Sequence, residues 1–200
     1  MYLITLSQTS ENILTFLLNN LSKEYSILEI AKSIKQDYKI VYTTVQTLKK
    51  ADLIKMKKVS NINQCSIGLT KDNLAIFAYL SERASQAALP KKIIRTLQEA
   101  IQDITNPFYS LIVFGSYAKG TARHTSDVDL LVISPDKKEE SNILAAIKKA
   151  ATLNNIKLSP IILSPKEFQD GLREPSIAQE AYHNHLIIYG GESFHALIPK

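Results

Sequence analysis

Two acids with one residue between them, Asp127 and Asp129, stand at the head of the apolar run Val128 to Ile133. Alternate residues of an extended strand share a face, so both carboxylates point the same way, ~6–7 Å apart along the chain. Val128 and Leu130 then point the other way, into a core. Like charges held that close raise each other's pKa unless a positive charge lies between them. A divalent ion meets that need, and an oxygen-only donor set suits Mg²⁺ or Mn²⁺. A second apolar run, Ser110-Leu111-Ile112-Val113-Phe114, ends at Gly115-Ser116, with ten residues between Ser116 and the first acid. Gly115 lets the backbone approach a phosphate closely, and Ser116 offers a hydroxyl at the start of the next helix. Together these residues form a phosphate cradle and a metal platform on neighbouring strands.

Other segments must position them. Pro135 to Ala151 reads as a helix crossing one sheet face, as a βαβ connection would, and leads to a strand within Ile156 to Leu163. Helices follow at about Pro165–Gly171 and Ser176–His185, then a short strand, Leu186 to Tyr189. Upstream, residues 71–105 are helical in pattern, broken at Pro90, which suits the first turn of the second helix. The first 70 residues read as three helices and a hairpin. The first helix covers about Thr9 to Leu21, with Ser10 as its N-cap. Ser26 caps a second, Ile27 to Ile34, and Glu29 completes a capping box. After a polar turn at Lys35–Lys39, a third helix carries Val41, Val45 and Leu48 on one face and Lys39, Tyr42, Thr43, Gln46 and Lys49 on the other. Strands Ile54–Val59 and Cys65–Leu69 are joined by the turn cluster Ser60–Gln64.

Composition bounds the classes. A content of 45% apolar and 22% charged residues is that of a soluble globular chain. No apolar run approaches the ~20 residues that span a bilayer, and the N-terminus lacks the basic start of a signal peptide. A lone cysteine, Cys65, allows no internal disulfide, so a reducing, cytoplasmic setting is expected. The net charge of +5 is unevenly spread. Between Lys39 and Lys58, the lysines at 39, 49, 50, 55, 57 and 58 face only Asp52, a stripe suited to a polyanion.

The order Gly115-Ser116, ten residues, Asp127-x-Asp129 resembles the signature of the polymerase-β-type nucleotidyltransferases, including the minimal nucleotidyltransferase family. Phe114, Gly120, Arg123, Ser126 and Leu130-Leu131-Val132 fit the same pattern, and the likeness covers about residues 90–165. It implies that Gly115, Ser116 and Ser126 belong to a triphosphate-binding set, with Lys119 and Arg123 as counter-charges. It also implies that Asp127 and Asp129 are the catalytic carboxylates, binding Mg²⁺ (or Mn²⁺). Active members add a third carboxylate on a later strand, where this chain has Ser159; Glu167, Asp170 and Glu174 follow on the next helix.

The stretch Ile27–Lys55 resembles the winged helix-turn-helix domain of small prokaryotic regulators, although such domains usually have Gly where Ala51 or Asp52 stands. The likeness implies DNA binding: Tyr38, Tyr42, Thr43 and Gln46 would approach bases, and Lys39, Lys57 and Lys58 phosphates. The expected architecture is α/β (α+β): a winged helix over residues 1–80, then a transferase domain over 81–200 with a small mixed sheet flanked by helices. Helices at about 71–105 link the two. Two functions fit. One is transfer of a nucleoside monophosphate from a nucleoside triphosphate to a protein or nucleic-acid hydroxyl. The other is a DNA-binding regulator or antitoxin whose transferase domain only binds nucleotide. Expected partners are a nucleoside triphosphate, DNA, a helical protein of a toxin–antitoxin pair and a second copy of the chain, but no membrane.

Overall fold

The computed structural model describes residues 6–199. Helix α1 (Gln8–Leu18) buries Ile13, Leu14, Leu17 and Leu18 along one stripe. Its N-cap is Ser7 rather than Ser10: the Ser7 hydroxyl accepts from the Ser10 N–H at 3.2 Å. Ser10 lies one turn inside, buried, with its own hydroxyl 2.9 Å from that of Ser7. Two serines three residues apart offer the same capping chemistry, and only the helix start decides between them.

A two-residue strand, β1 (Tyr25–Ser26), runs straight into α2 (Ile27–Ser33). Here the expected capping box forms: the Ser26 N–H donates to Glu29 Oε2 at 2.7 Å, and the Glu29 N–H to Ser26 Oγ at 3.2 Å. Helix α3 (Tyr38–Lys50) buries Val41, Val45 and Leu48, as its periodicity requires. It starts inside the expected polar turn, because Asp37 accepts from the Lys39 and Ile40 N–H groups and caps it.

Strands β2 (Ile54–Val59) and β3 (Ile62–Ile67) form a hairpin in which Val59 faces Ile62. The turn is therefore Ser60-Asn61, with Ser60 at φ 55°, and is shorter than the expected five-residue link. Ile62, Asn63 and Gln64 lie in the strand despite their polar neighbours, since pairing with β2 outweighs local propensity. On its other side β3 pairs with β1.

Helices α4 (Leu74–Ala88) and α5 (Lys91–Asp103) follow, with Pro90 as the N-cap of the second. The second sheet comprises β4 (Ser110–Val113), β5 (Val128–Ile133), β6 (Leu158–Leu163) and β7 (Leu186–Tyr189) in the order β6-β5-β4-β7. Strands β5 and β6 are parallel, whereas β4 is antiparallel to both β5 and β7. A parallel pair needs a long crossover, and α7 (Glu140–Asn154) supplies it. The remaining helices are short: α6 (Gly115–Ala118), α8 (Pro165–Gly171), α9 (Ile177–His183) and α10 (Gly191–Leu197).

Alternation along the strands gives the sheet two apolar faces. Leu111, Val113, Val128, Leu130 and Val132 pack with residues of α5 and α7. Ile112, Phe114, Leu131, Ile133 and Ile187 join a continuous core with α1 to α4, Phe168 and Phe194. The N-terminal unit thus shares a core with the sheet. Polar contacts tie the same seam: Tyr182 Oη donates to Leu21 O at 3.2 Å, His183 Nδ1 lies 2.7 Å from Ser22 Oγ, and His185 Nε2 lies 3.1 Å from Leu18 O. No helix among the described residues is long and apolar enough to cross a membrane.

Candidate functional site

Strand pairing assembles the site. Val113 of β4 faces Leu130 of β5, and one step beyond, the Phe114 N–H donates to Asp129 O at 3.1 Å. This brings the residue after Phe114 directly against the Asp129 side chain. Gly115 has φ +66°, and a Cβ on it would lie 2.2 Å from Asp129 Oδ2. Only glycine satisfies both the left-handed backbone and the contact. The chain then closes into α6, with the Lys119 N–H on Gly115 O at 3.0 Å and the Thr121 N–H on Ser116 O at 2.9 Å.

Asp127 lies just before β5 and is exposed; Asp129 is half-buried, between the buried Val128 and Leu130. Burial first, then Glu180, then Asp127 push the Asp129 carboxyl up from its ordinary value, and Lys119 opposes them. Asp127 is itself 3.8 Å from Lys157 Nζ, a long contact between exposed groups. Two carboxylates gathered in this way are a donor set that suits Mg²⁺ completed by water and phosphate oxygens. Among the described residues, no three His, Cys, Asp or Glu side chains are already grouped to hold a metal ion.

Of the other expected phosphate ligands, Ser116 is half-buried beside Gly115. The Ser126 hydroxyl accepts from the Arg123 N–H at 2.9 Å, which shapes the loop and leaves the Arg123 side chain exposed. Lys119 Nζ donates to Glu180 Oε1 at 2.6 Å. Glu180 was not among the residues the sequence singled out. It comes from α9, and nothing in the spacing of that helix links it to the Asp127–Asp129 strand.

Ser159, the residue expected in place of a third acid, sits directly opposite Asp129 in the parallel β5/β6 register. Glu167 is occupied elsewhere, accepting from the Ser164 N–H at 2.7 Å to cap α8, while Asp170 and Glu174 are exposed.

Two clefts flank Asp127. One, of about 700 Å³, lies between α7 and β6 and is lined by Asp127, Lys148 and Ser159 among others. The other, of about 670 Å³, is bounded by Lys92, Tyr117, Arg123, His124 and Ser126. Lys157 borders both, whereas Gly115 and Asp129 line neither.

The residues expected to meet DNA lie on α3 and the β2–β3 hairpin. Lys39, Tyr42, Thr43, Lys57 and Lys58 are exposed, and Tyr38 stacks near Tyr42 with ring centres 6.2 Å apart. Three of them have partners within the chain. Thr43 Oγ1 donates to Ile40 O at 2.9 Å, Gln46 Nε2 approaches Met56 Sδ at 3.9 Å, and Lys57 pairs with Glu24 at 2.8 Å.

Comparison with known proteins bears on the second half of the chain. Residues 91–185 match the family described as "Nucleotidyltransferase domain". A protein of Methanocaldococcus jannaschii named "Putative protein adenylyltransferase MJ1305" is 36% identical over 76 residues, which make up 36% of this chain and 52% of that one. The chain therefore spans about half the length of that relative. A solved structure described as "Crystal structure of the toxin-antitoxin with AMP-PNP" aligns with a TM-score of 0.37 and 18% identity, over 52% of this chain and 81% of that one. The family match covers the Gly115-Ser116 turn and both aspartates, and residues 91–185 are accordingly a nucleotidyltransferase domain.

Proposed function

We propose that the chain is a metal-dependent nucleotidyltransferase that moves a nucleoside monophosphate from a nucleoside triphosphate to a hydroxyl of a protein or nucleic acid. The observation that carries this reading is the close approach of Gly115 to Asp129, where a Cβ would lie 2.2 Å from Asp129 Oδ2. The family match over residues 91–185 supports it. The archaeal relative's name, a protein adenylyltransferase, favours AMP as the group moved and a protein as one acceptor.

In this reading Ser116 and the backbone around Gly115 hold the triphosphate, and Arg123 and Lys119 counter its charge. Asp127 and Asp129 would hold Mg²⁺, which, when bound, draws charge from the phosphate oxygens. The side chains fix the α-phosphorus in one place, so that an acceptor oxygen and the departing pyrophosphate can lie in line.

Thermal unfolding with and without Mg²⁺ and each nucleoside triphosphate tests the site. A ligand at 100 times its Kd adds about 2.7 kcal/mol of stability. The expected result is a metal-dependent gain of that order in the native chain, lost in Asp127→Asn/Asp129→Asn. No gain with any triphosphate at millimolar concentration would defeat the proposal.

One observation favours a second reading. With Ser159 opposite Asp129, β6 offers no carboxylate there, as in a domain that keeps nucleotide binding without transfer. The chain would then be a DNA-binding regulator.

Both readings give the N-terminal unit the same role. Its three helices, hairpin and exposed basic residues on α3 and β2 support a winged helix that binds DNA. A gel shift should show binding at low salt that weakens steeply as salt rises. Lys39→Ala and Lys58→Ala should each reduce the salt slope by about 1. No shift at low salt would remove DNA from the list of partners.

A further inference from the structure

Residues 91–185 bring together two carboxylates, Asp127 and Asp129, and the strand neighbour of Asp129 is Ser159. A hydroxyl acceptor needs a group to take its proton, and serine is too weak a base for that. Glu180 is placed to do it. It stands on α9 and pairs with Lys119, whose turn begins at Gly115 against Asp129; after burial, its charge helps to raise the Asp129 carboxyl. It is also held: Lys119 Nζ donates to Glu180 Oε1 at 2.6 Å. Lys119 closes the one-turn helix that begins at Gly115-Ser116, its own N–H bonded to Gly115 O at 3.0 Å. Its side chain thus springs from the same turn as Ser116, the residue expected to meet the triphosphate.

We propose that the Lys119–Glu180 pair is a resting-state lock, that a bound triphosphate draws Lys119 to itself, and that the released Glu180 is the general base of transfer. The assignment rests on the transferase reading above. The triphosphate carries several negative charges against one on Glu180, so electrostatics favours the exchange of partners. The pair is also partly exposed, with side chains 43% and 39% accessible, and water screens such contacts. Once Lys119 has moved, the Glu180 carboxylate accepts the acceptor's O–H proton. The acceptor oxygen forms its bond to the α-phosphorus as the bond to the bridging oxygen breaks, and pyrophosphate leaves with that electron pair. Nucleotide arrival and exposure of the base are thereby one event, and the free chain holds its base neutralised by a lysine.

The test measures two quantities on the full chain and on Glu180→Gln and Glu180→Asp. One is the affinity for Mg·ATP by calorimetry; the other is pyrophosphate release from ATP with water as acceptor. The exposed pair contributes little to folding, so both variants should fold, which thermal unfolding without ligand verifies. Glu180→Gln should bind Mg·ATP at least as tightly as the native chain, because Lys119 is no longer engaged. Its pyrophosphate release should fall by about 100-fold, within the range general bases contribute. Glu180→Asp should recover part of that loss. A Glu180→Gln variant that turns over at the native rate overturns the base assignment, as does a native chain that binds Mg·ATP and releases no pyrophosphate. A variant that loses affinity and turnover together overturns the lock and leaves Glu180 a mere support for Lys119. Failure of the native chain to bind Mg·ATP at all is a separate outcome: it removes the transferase reading itself.

Discussion

Gly115→Ala should abolish stabilisation by Mg·ATP while leaving a folded protein. Two costs are combined in this one methyl group. The backbone at φ +66° is unfavourable for any L-residue by about 1–2 kcal/mol. The new Cβ would also lie 2.2 Å from Asp129 Oδ2. The second conflict is with the movable end of a side chain, so the carboxylate can turn away and the fold survives. Its departure dismantles the site. Denaturant unfolding should therefore show a loss of about 1–2 kcal/mol, and the nucleotide-dependent gain should vanish. A double-mutant cycle separates the two costs, because in an Asp129→Ala background the clash has no partner. There Gly115→Ala should cost only its backbone term, and the deviation from additivity measures the contact. Full retention of the nucleotide response in Gly115→Ala would mean that Asp129 does not act from the position it occupies here.

The residues of that contact were readable in advance because their signals are local. Gly115-Ser116 ends one apolar run and Asp127-Val128-Asp129 opens another, and strand alternation alone puts Asp129 opposite in sense to Val128 and Leu130. The capping box at Ser26 and Glu29, the apolar face of α3 and the crossover helix before β6 follow from patterns confined to a few turns of chain. What escaped notice depends on distant pairing. Strand β1 has only two residues and no period of its own, and exists because β3 offers it an edge. The start of α1 was displaced because two serines compete for one cap. The seven-residue α10 follows β7 with no sequence expectation, its Gly191 N–H held by Glu82 at 2.9 Å across the core. Glu180 escaped for the same reason. On α9 it is one acid of a short helix, and only the folded chain shows that it meets Lys119. The proposed base is thus the part of the site that sequence spacing could not disclose.

Two buried histidines make the fold sensitive to acid. His195 on α10 is 1% exposed, its Nε2 lying 3.1 Å from Ser81 Oγ and its Nδ1 having no partner among the described residues. Burial first, then His185, push it down to about 3, with the Phe77 backbone opposing. Burial also lowers His185, although both its ring nitrogens face backbone carbonyls, of Tyr182 and Leu18, that favour the charged form. In the unfolded chain a histidine titrates near 6.5. Between about 3 and 6.5 the unfolded state therefore holds a proton on this residue that the native state refuses. Stability is complete above the unfolded value and declines as pH falls, at about 1.4 kcal/mol per pH unit for each such group. Lowering the pH from 7 to 5 should cost about 2 kcal/mol through His195 alone, and His185 adds a loss of the same sign. Urea unfolding across that range should show the decline. His195→Gln, which can still bond Ser81, should be less stable at pH 7 but markedly flatter in its pH dependence. An unchanged slope in the variant would place the acid sensitivity elsewhere. His185 bonds Leu18 of α1 and lies just beyond α9, so the cost of burying its charge falls at the seam between the N-terminal unit and the helix that carries Glu180.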